Sequence, residues 1–192
     1  MQTHRLALDV LGYCWIAFIV IWLLAAFWTK RSVYRESRTE RLRYVVPGLL
    51  GGWMLAKGGR FPDPLSHRVI PHLDALAWIG MALCVAGLAF CLWARFTLGR
   101  NWSGVVTLKG GHELITRGPY AWVRHPIYTG LLTMFVATVL VLGHLAGIIA
   151  LPLVLGSIWI KLRYEEKLML QKFPAEYAAY QQRVKRIIPF VL

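Results

Sequence analysis

The stretch Gly118-Pro119-Tyr120-Ala121-Trp122-Val123-Arg124-His125-Pro126-Ile127-Tyr128-Thr129-Gly130 decides the fold. It is polar at its centre, yet an apolar run from Ile127 to Leu142 follows at once. Arg124 and His125 therefore stand where a membrane span begins, at the boundary between water and lipid. Pro126 has no N–H to lose and suits the first turn of that helix. A second polar cluster, Glu165-Glu166, follows the next apolar run, Leu145 to Ile160. A tight turn at Gly143-His144 returns the chain to the side it came from, so the two clusters are expected to meet. His125, Tyr120 and Tyr128 then share one small region.

Composition sets the setting for that hairpin. The chain has 192 residues, 57% of them hydrophobic, with a mean hydropathy of +0.51. A soluble domain of this size is not so apolar, and the sequence reads as an integral membrane protein. The net charge of +13 does not point to nucleic acid, because the basic residues lie between apolar runs. An anionic lipid leaflet is the partner they fit. The first apolar run, with one Arg before it and no small-residue cleavage site after it, reads as a retained span. Cys84 and Cys91 sit on one predicted helix, roughly 10 Å apart along its axis, too far for a disulfide.

Two full-length spans precede the hairpin, Leu6 to Trp28 and Leu73 to Phe96. Between them lies a short apolar segment, Tyr44 to Ala56, with Pro47 and a Gly51-Gly52 pair. The cations decide whether it crosses. Eighteen of the 22 Lys and Arg fall in residues 30–43, 95–124 and 161–186. These three segments share one side only if the short segment crosses, and the positive-inside rule makes that side the cytoplasm. The expected fold is thus all-α, with five transmembrane helices and a C-terminal cytosolic amphipathic helix. Leu168, Phe173, Tyr177, Tyr180 and Val184 form the apolar stripe of that last helix, with a break at Pro174. Residues 1–96 form the N-terminal transmembrane helices. Residues 97–192 are expected to form a second half, built on the hairpin and carrying both polar clusters. The protein is expected in the inner membrane of a bacterium or the endoplasmic reticulum of a eukaryote, with its site facing the cytoplasm.

Read without company, each polar residue has a plain structural use. A basic interfacial segment more often anchors headgroups than catalyses. Lys161 precedes Glu165 by four residues, the spacing of a helix-face ion pair. The histidines show no metal-ligand spacing, and no metal is expected. No phosphate-cradling Gly-rich loop and no activated nucleophile are visible. The remaining groups suit a polar cofactor with a charged end, held beside a lipid-soluble substrate.

A resemblance narrows this reading. His112-Glu113-Leu114-Ile115, the stretch from Gly118 to Gly130, Glu165-Glu166 and the tail Phe173-Pro174-Ala175-Glu176-Tyr177 through Ile188-Pro189-Phe190 closely resemble isoprenylcysteine carboxyl methyltransferases. The likeness covers about residues 97–192. Phospholipid N-methyltransferases share the Arg-His-Pro-x-Tyr-x-Gly and Glu-Glu elements, and sterol-type reductases carry Arg-His-Pro-x-Tyr alone. The resemblance implies an S-adenosyl-L-methionine-dependent methyltransferase acting on an amphiphilic substrate, possibly the carboxylate of a prenylated cysteine. The alternatives are a phospholipid amine N-methyltransferase and an NADPH-dependent reductase.

The resemblance also implies residue roles. Cofactor contacts fall on Thr107, His112, Glu113, Leu114, Ile115, Tyr120, His125, Pro126, Ile127, Tyr128 and Glu165. Arg124 and His125 are expected to hold the cofactor carboxylate. The family's substrate-orienting Arg falls on Lys161, a departure, because an ammonium cannot grip a carboxylate in bidentate fashion. Arg163 or Arg124 is the guanidinium group expected to compensate. If the acceptor is an amine, Glu166 or His125 is the candidate base.

Overall fold

The computed structural model describes residues 2–29, 32–102, 107–109 and 113–189. Helix α1 (Gln2–Ala26) leads to a short strand β1 (Ser32–Arg35) and then to α2 (Arg38–Lys57). A loop with a 3₁₀ turn at Gly58–Arg60 precedes α3 (Asp74–Leu98). Strand β2 (Thr107–Lys109) follows, then α4 (Pro126–Leu142), α5 (Leu145–Lys172) and α6 (Pro174–Arg183). The all-α expectation holds for the body of the fold, to which β1 and β2 add a small antiparallel ribbon. Three or four paired residues leave no alternating pattern long enough to read in the sequence.

The helix ends fall where local chemistry puts them. Ser37 and Glu40 form a capping box, Glu40 N–H donating to Ser37 Oγ at 3.2 Å and Ser37 N–H to Glu40 Oε2 at 3.0 Å. That cap starts α2 well before its apolar part. Nothing stops α5 at Ile160. Lys161 to Lys172 contains good helix formers and no Gly or Pro, so the helix runs on into the polar segment and ends at Phe173. The expected break at Pro174 is present, and α6 begins there. Gly143 has φ +66° and closes the α4–α5 turn, a conformation that glycine adopts without strain.

Among the described residues three helices are long and apolar enough to cross a membrane: α1, α3 and α5. The 17-residue α4 is apolar but shorter. Contacts fix which ends lie together. Arg95 of α3 donates to the carbonyl of Ala25 at the end of α1 at 2.7 Å, and Arg43 of α2 to the Tyr164 hydroxyl of α5 at 3.3 Å. Cys91 Sγ lies 3.2 Å from the Ile127 carbonyl at the start of α4. At the opposite end Arg68 donates to the carbonyls of Leu142 (2.7 Å) and Val141 (3.0 Å), offsetting the partial negative charge there. The chain between α1 and α2, the turn before α4 and the polar end of α5 thus gather at one end of the bundle.

Between α3 and α4 the backbones nearly touch. A Cβ added at Gly130 would lie 2.5 Å from the Gly87 carbonyl oxygen, and one at Gly87 would lie 2.7 Å from that of Gly130. Backbone cannot yield as a flexible side chain does, so this pair sets the helix spacing. Gly130→Ala should therefore destabilise the folded protein by about 1–3 kcal/mol. Thermal unfolding in detergent reads this as a lowered midpoint, whereas Gly12→Ala, where nothing lies within 4 Å, should leave it nearly unchanged.

Candidate active site

The site begins with the turn that precedes α4. Gly118 takes φ +61° at the start of a 3₁₀ turn, Gly118–Ala121, which buries Tyr120. The next residues run beside the C-terminal segment: Arg124 N–H donates to the Lys185 carbonyl at 2.7 Å and His125 N–H to that of Arg186 at 2.9 Å. Thr129 Oγ1 adds a bond to the Ile187 carbonyl at 2.7 Å. Tyr180 of α6 donates to the Tyr120 carbonyl at 2.5 Å. The tail therefore straps the entry to α4.

The two polar clusters meet, as the hairpin predicts. Glu166 is buried, and its carboxylate takes partners from both sides. Oε1 accepts from Arg124 Nε at 3.0 Å and Nη2 at 2.9 Å, and His125 Nε2 lies 3.2 Å away. Oε2 accepts from Arg186 Nε at 3.0 Å and Gln181 Nε2 at 3.3 Å. Arg124 also donates to the carbonyls of Gln181, at 3.2 Å, and Val184. Glu165, one residue earlier, points elsewhere. It accepts from the Tyr128 hydroxyl at 2.7 Å, with His125 Nδ1 at 3.6 Å and Lys161 Nζ at 4.0 Å. His125 thus lies between the two acids.

Beside this network is a cavity of about 420 Å³, within the usual range for a small-molecule site. Its polar lining includes Glu113, Tyr120, Arg124, His125, Tyr128, Lys161 and Glu165, and Leu114 and Ile127 lie among its apolar walls with Ile115. Most of the expected cofactor residues are therefore brought together. Pro126 is buried but does not line the cavity. His112 lies outside the described residues, and Thr107 is described only as backbone of β2.

Two residues with expected roles lie outside the cavity lining. Glu166 does not line the cavity, and its carboxylate is already shared among two guanidinium groups, a histidine and an amide. It suits positioning better than proton uptake. Arg163 turns away from the cavity into a separate surface cleft.

Other wall residues were not assigned to the site from the sequence. Phe18 and Trp22 of α1 stack at 4.2 Å and reach the cavity, with Trp102 edge-on to Trp22 at 5.9 Å. Their only sequence signal was aromatic content in an apolar run. Leu168, Tyr177 and Tyr180 were read as one apolar stripe, and the stripe faces this cavity. Asn101 also lines it, and its buried Oδ1 has no hydrogen-bond partner among the described residues. Burial pushes the Tyr120, Tyr177 and Tyr180 phenols above their ordinary range, so they stay neutral at physiological pH.

Comparison with known proteins decides the family. The model of the isoprenylcysteine carboxyl methyltransferase family matches residues 78–171. A probable protein-S-isoprenylcysteine O-methyltransferase of Oryza sativa subsp. indica is 33% identical over 172 residues, which is 88% of this chain and 87% of that protein. The chain belongs to the isoprenylcysteine carboxyl methyltransferase family. The Tribolium castaneum protein-S-isoprenylcysteine O-methyltransferase is 31% identical over 130 residues, 63% of this chain and 45% of that one. The solved structure of a eukaryotic intramembrane Ras methyltransferase of the family is 27% identical, with a TM-score of 0.51. That match covers 83% of this chain and 55% of that one, so the chain spans little more than half the length of the solved relative. The family match begins inside α3 and ends in α5, and so includes Arg124, His125, Glu165 and Glu166.

The Glu166 carboxylate is nine-tenths buried or more and holds cations from two segments. Removing its charge leaves two guanidinium groups without a counter-ion. Glu166→Gln should cost about 3–5 kcal/mol of stability. Tyr128→Phe, which removes one neutral donor from Glu165, should cost only about 1 kcal/mol. Denaturation midpoints of the two variants in the same detergent give the comparison.

Proposed function

We propose that this protein is an integral membrane methyltransferase that uses S-adenosyl-L-methionine and methylates the carboxylate of a prenylated cysteine. The carrying observation is the cavity itself, in which Glu165, His125, Tyr128 and Lys161 stand beside an aromatic and aliphatic wall drawn partly from α1. Such a cavity can take a charged cofactor and an apolar tail together. The names of the relatives support the same acceptor.

The residues fit the cofactor. Glu165 is partly exposed and offers a carboxylate to a cationic group. Tyr120, Tyr128, Tyr177 and Trp102 surround the space with aromatic rings, which attract cations. Asn101 Oδ1, which has no partner among the described residues, gives one more acceptor. Glu113, Leu114, Ile115, Tyr120, His125, Ile127, Tyr128 and Glu165 would hold the cofactor, with Thr107 and His112 added from the family pattern. When bound, S-adenosyl-L-methionine supplies a methyl group already activated by its sulfonium.

Catalysis by this chain is then mainly positioning. Tyr128 and Lys161 fix Glu165, while Arg124 and Glu166 hold His125 and the tail in register. The apolar walls exclude water from the reacting groups. A carboxylate acceptor needs no base, which agrees with a Glu166 that is fully engaged. Lys161 orients the acceptor as a point charge in this reading. Its departure from Arg keeps a lipid amine as the second acceptor class.

The chain arrangement supports five crossings with the site at the cytoplasmic face. α2 runs alongside α5, from the Arg43–Tyr164 contact at one end to Leu55 beside Gly147 at the other. It therefore covers the same depth as a helix that is long enough to cross.

Two measurements test these proposals. Calorimetry with S-adenosylhomocysteine should show binding that NADPH does not reproduce, and Glu165→Gln should weaken it by roughly tenfold to a hundredfold. Unchanged affinity in a folded variant contradicts the Glu165 assignment. For topology, single cysteines at Ser37, Ser66 and Gln182 should differ towards an impermeant thiol reagent on intact cells. Only the Ser66 position should react, against a low background because Cys14, Cys84 and Cys91 are buried. Labelling at Ser37 contradicts five crossings.

A further inference from the structure

A second cleft, of about 490 Å³, opens at the same end of the bundle on the other face of α5. Arg163 and Lys167 form one wall, Gln181 and Arg186 the other, and Glu166 lies at its floor. Three cations therefore face one carboxylate. That carboxylate is already matched by Arg124 from the catalytic side, at 2.9 Å. Arg163 and Lys167 are exposed and four residues apart on one helix face, where like charges repel. The cleft is thus built with an excess of positive charge, which an anion would relieve.

Its depth says which anion. The Arg186 guanidinium lies over the Trp159 ring, 5.1 Å from its centre. Trp159 is in the last turn of the apolar run that ends at Ile160. At 1.5 Å per residue, Arg163 stands about 6 Å and Lys167 about 12 Å beyond Trp159 along the helix. The polar layer outside the hydrocarbon is about 5–8 Å thick on each side. Arg163 thus lies at the level of lipid phosphates, Arg186 reaches the same cleft from over Trp159, and the Lys167 backbone stands a few ångströms beyond the layer, with a long side chain that leans back towards it.

We propose that this cleft binds the phosphate of an anionic phospholipid headgroup. The Arg163 guanidinium offers paired N–H donors that match phosphate oxygens, Arg186 adds its Nη1 donors beyond the Nε and Nη2 that Glu166 holds, and Lys167 adds a point charge. Gln181 supplies a neutral donor beside them. A zwitterionic headgroup would bring its own cation towards Arg163 and Lys167, so phosphatidylglycerol binds more tightly than phosphatidylcholine. A free phosphate ion shares the oxygen chemistry but lacks the acyl chains that hold a headgroup at this depth. The cleft is separate from the proposed cofactor cavity and does not depend on the reaction assigned to it.

The test uses the full-length chain, delipidated in detergent and titrated with short-chain phosphatidylglycerol, short-chain phosphatidylcholine or inorganic phosphate, with bound ligand read by native mass spectrometry. Each cation near an anionic lipid contributes about 1 kcal/mol, so R163Q/K167Q should weaken phosphatidylglycerol binding about thirtyfold. R38Q/R41Q, a change of equal charge at the start of α2, should leave most of that affinity in place. An unchanged thermal midpoint shows that each variant is folded. Equal affinity of the wild-type chain for the two lipids, or equal loss in the two variants, overturns the proposal. Displacement of phosphatidylglycerol by inorganic phosphate at low millimolar concentration overturns it too, because the site is then one for a soluble anion.

Discussion

The Glu166 carboxylate holds the site together. Through one oxygen it fixes Arg124 and His125 at the entry to α4, and through the other it fixes Arg186 and Gln181 beyond α5. Three chain segments far apart in sequence are joined at one buried charge. Such a pair costs desolvation, and a shaped apolar cluster could give equal stability. What the ion cluster adds is geometry: His125 cannot turn without losing Glu166 on one side and Glu165 on the other. The tail follows from the same constraint, since the Arg124 and His125 amides bond the segment that carries Arg186.

Much of this was legible because it rests on hydropathy and turn chemistry. The apolar runs, Gly143 and Pro126 predict a hairpin, and a hairpin of that length brings Arg124-His125 to Glu165-Glu166. The sequence cannot say which partner each acid takes, because adjacent residues on a helix face about 100° apart and only packing selects between them. Glu165 turns to the cavity and Glu166 to the strap. The unbroken α5 was missed because hydropathy falls at Lys161 while helix propensity does not. The aromatic wall from α1 is a tertiary contact across about 80 residues, Trp22 to Trp102, with no local signature.

The fold keeps two environments close. Glycine contact between α3 and α4 brings the hydrocarbon-level helices together, and the polar ends of α4 and α5 rise directly from them. A substrate with an apolar tail and an ionic head meets both within one cavity. Lys161 sits at that junction, near the rings of Tyr44 and Tyr128 at 5.5 Å each and within reach of Glu165. The structure thus sets the Lys161 ammonium beside the Glu165 carboxylate where the cavity's polar and aromatic linings join.

The most direct test of the account is chemical identification of the methylated product. The protein is incubated with S-adenosyl-L-methionine labelled in its methyl group, a prenylated cysteine and a phospholipid amine, and the products are treated with alkali. The account predicts label in the prenylcysteine fraction that alkali releases as volatile methanol, the behaviour of a carboxyl methyl ester. Label that stays with the lipid amine through alkali, or no transfer to either acceptor by the folded protein, would contradict it.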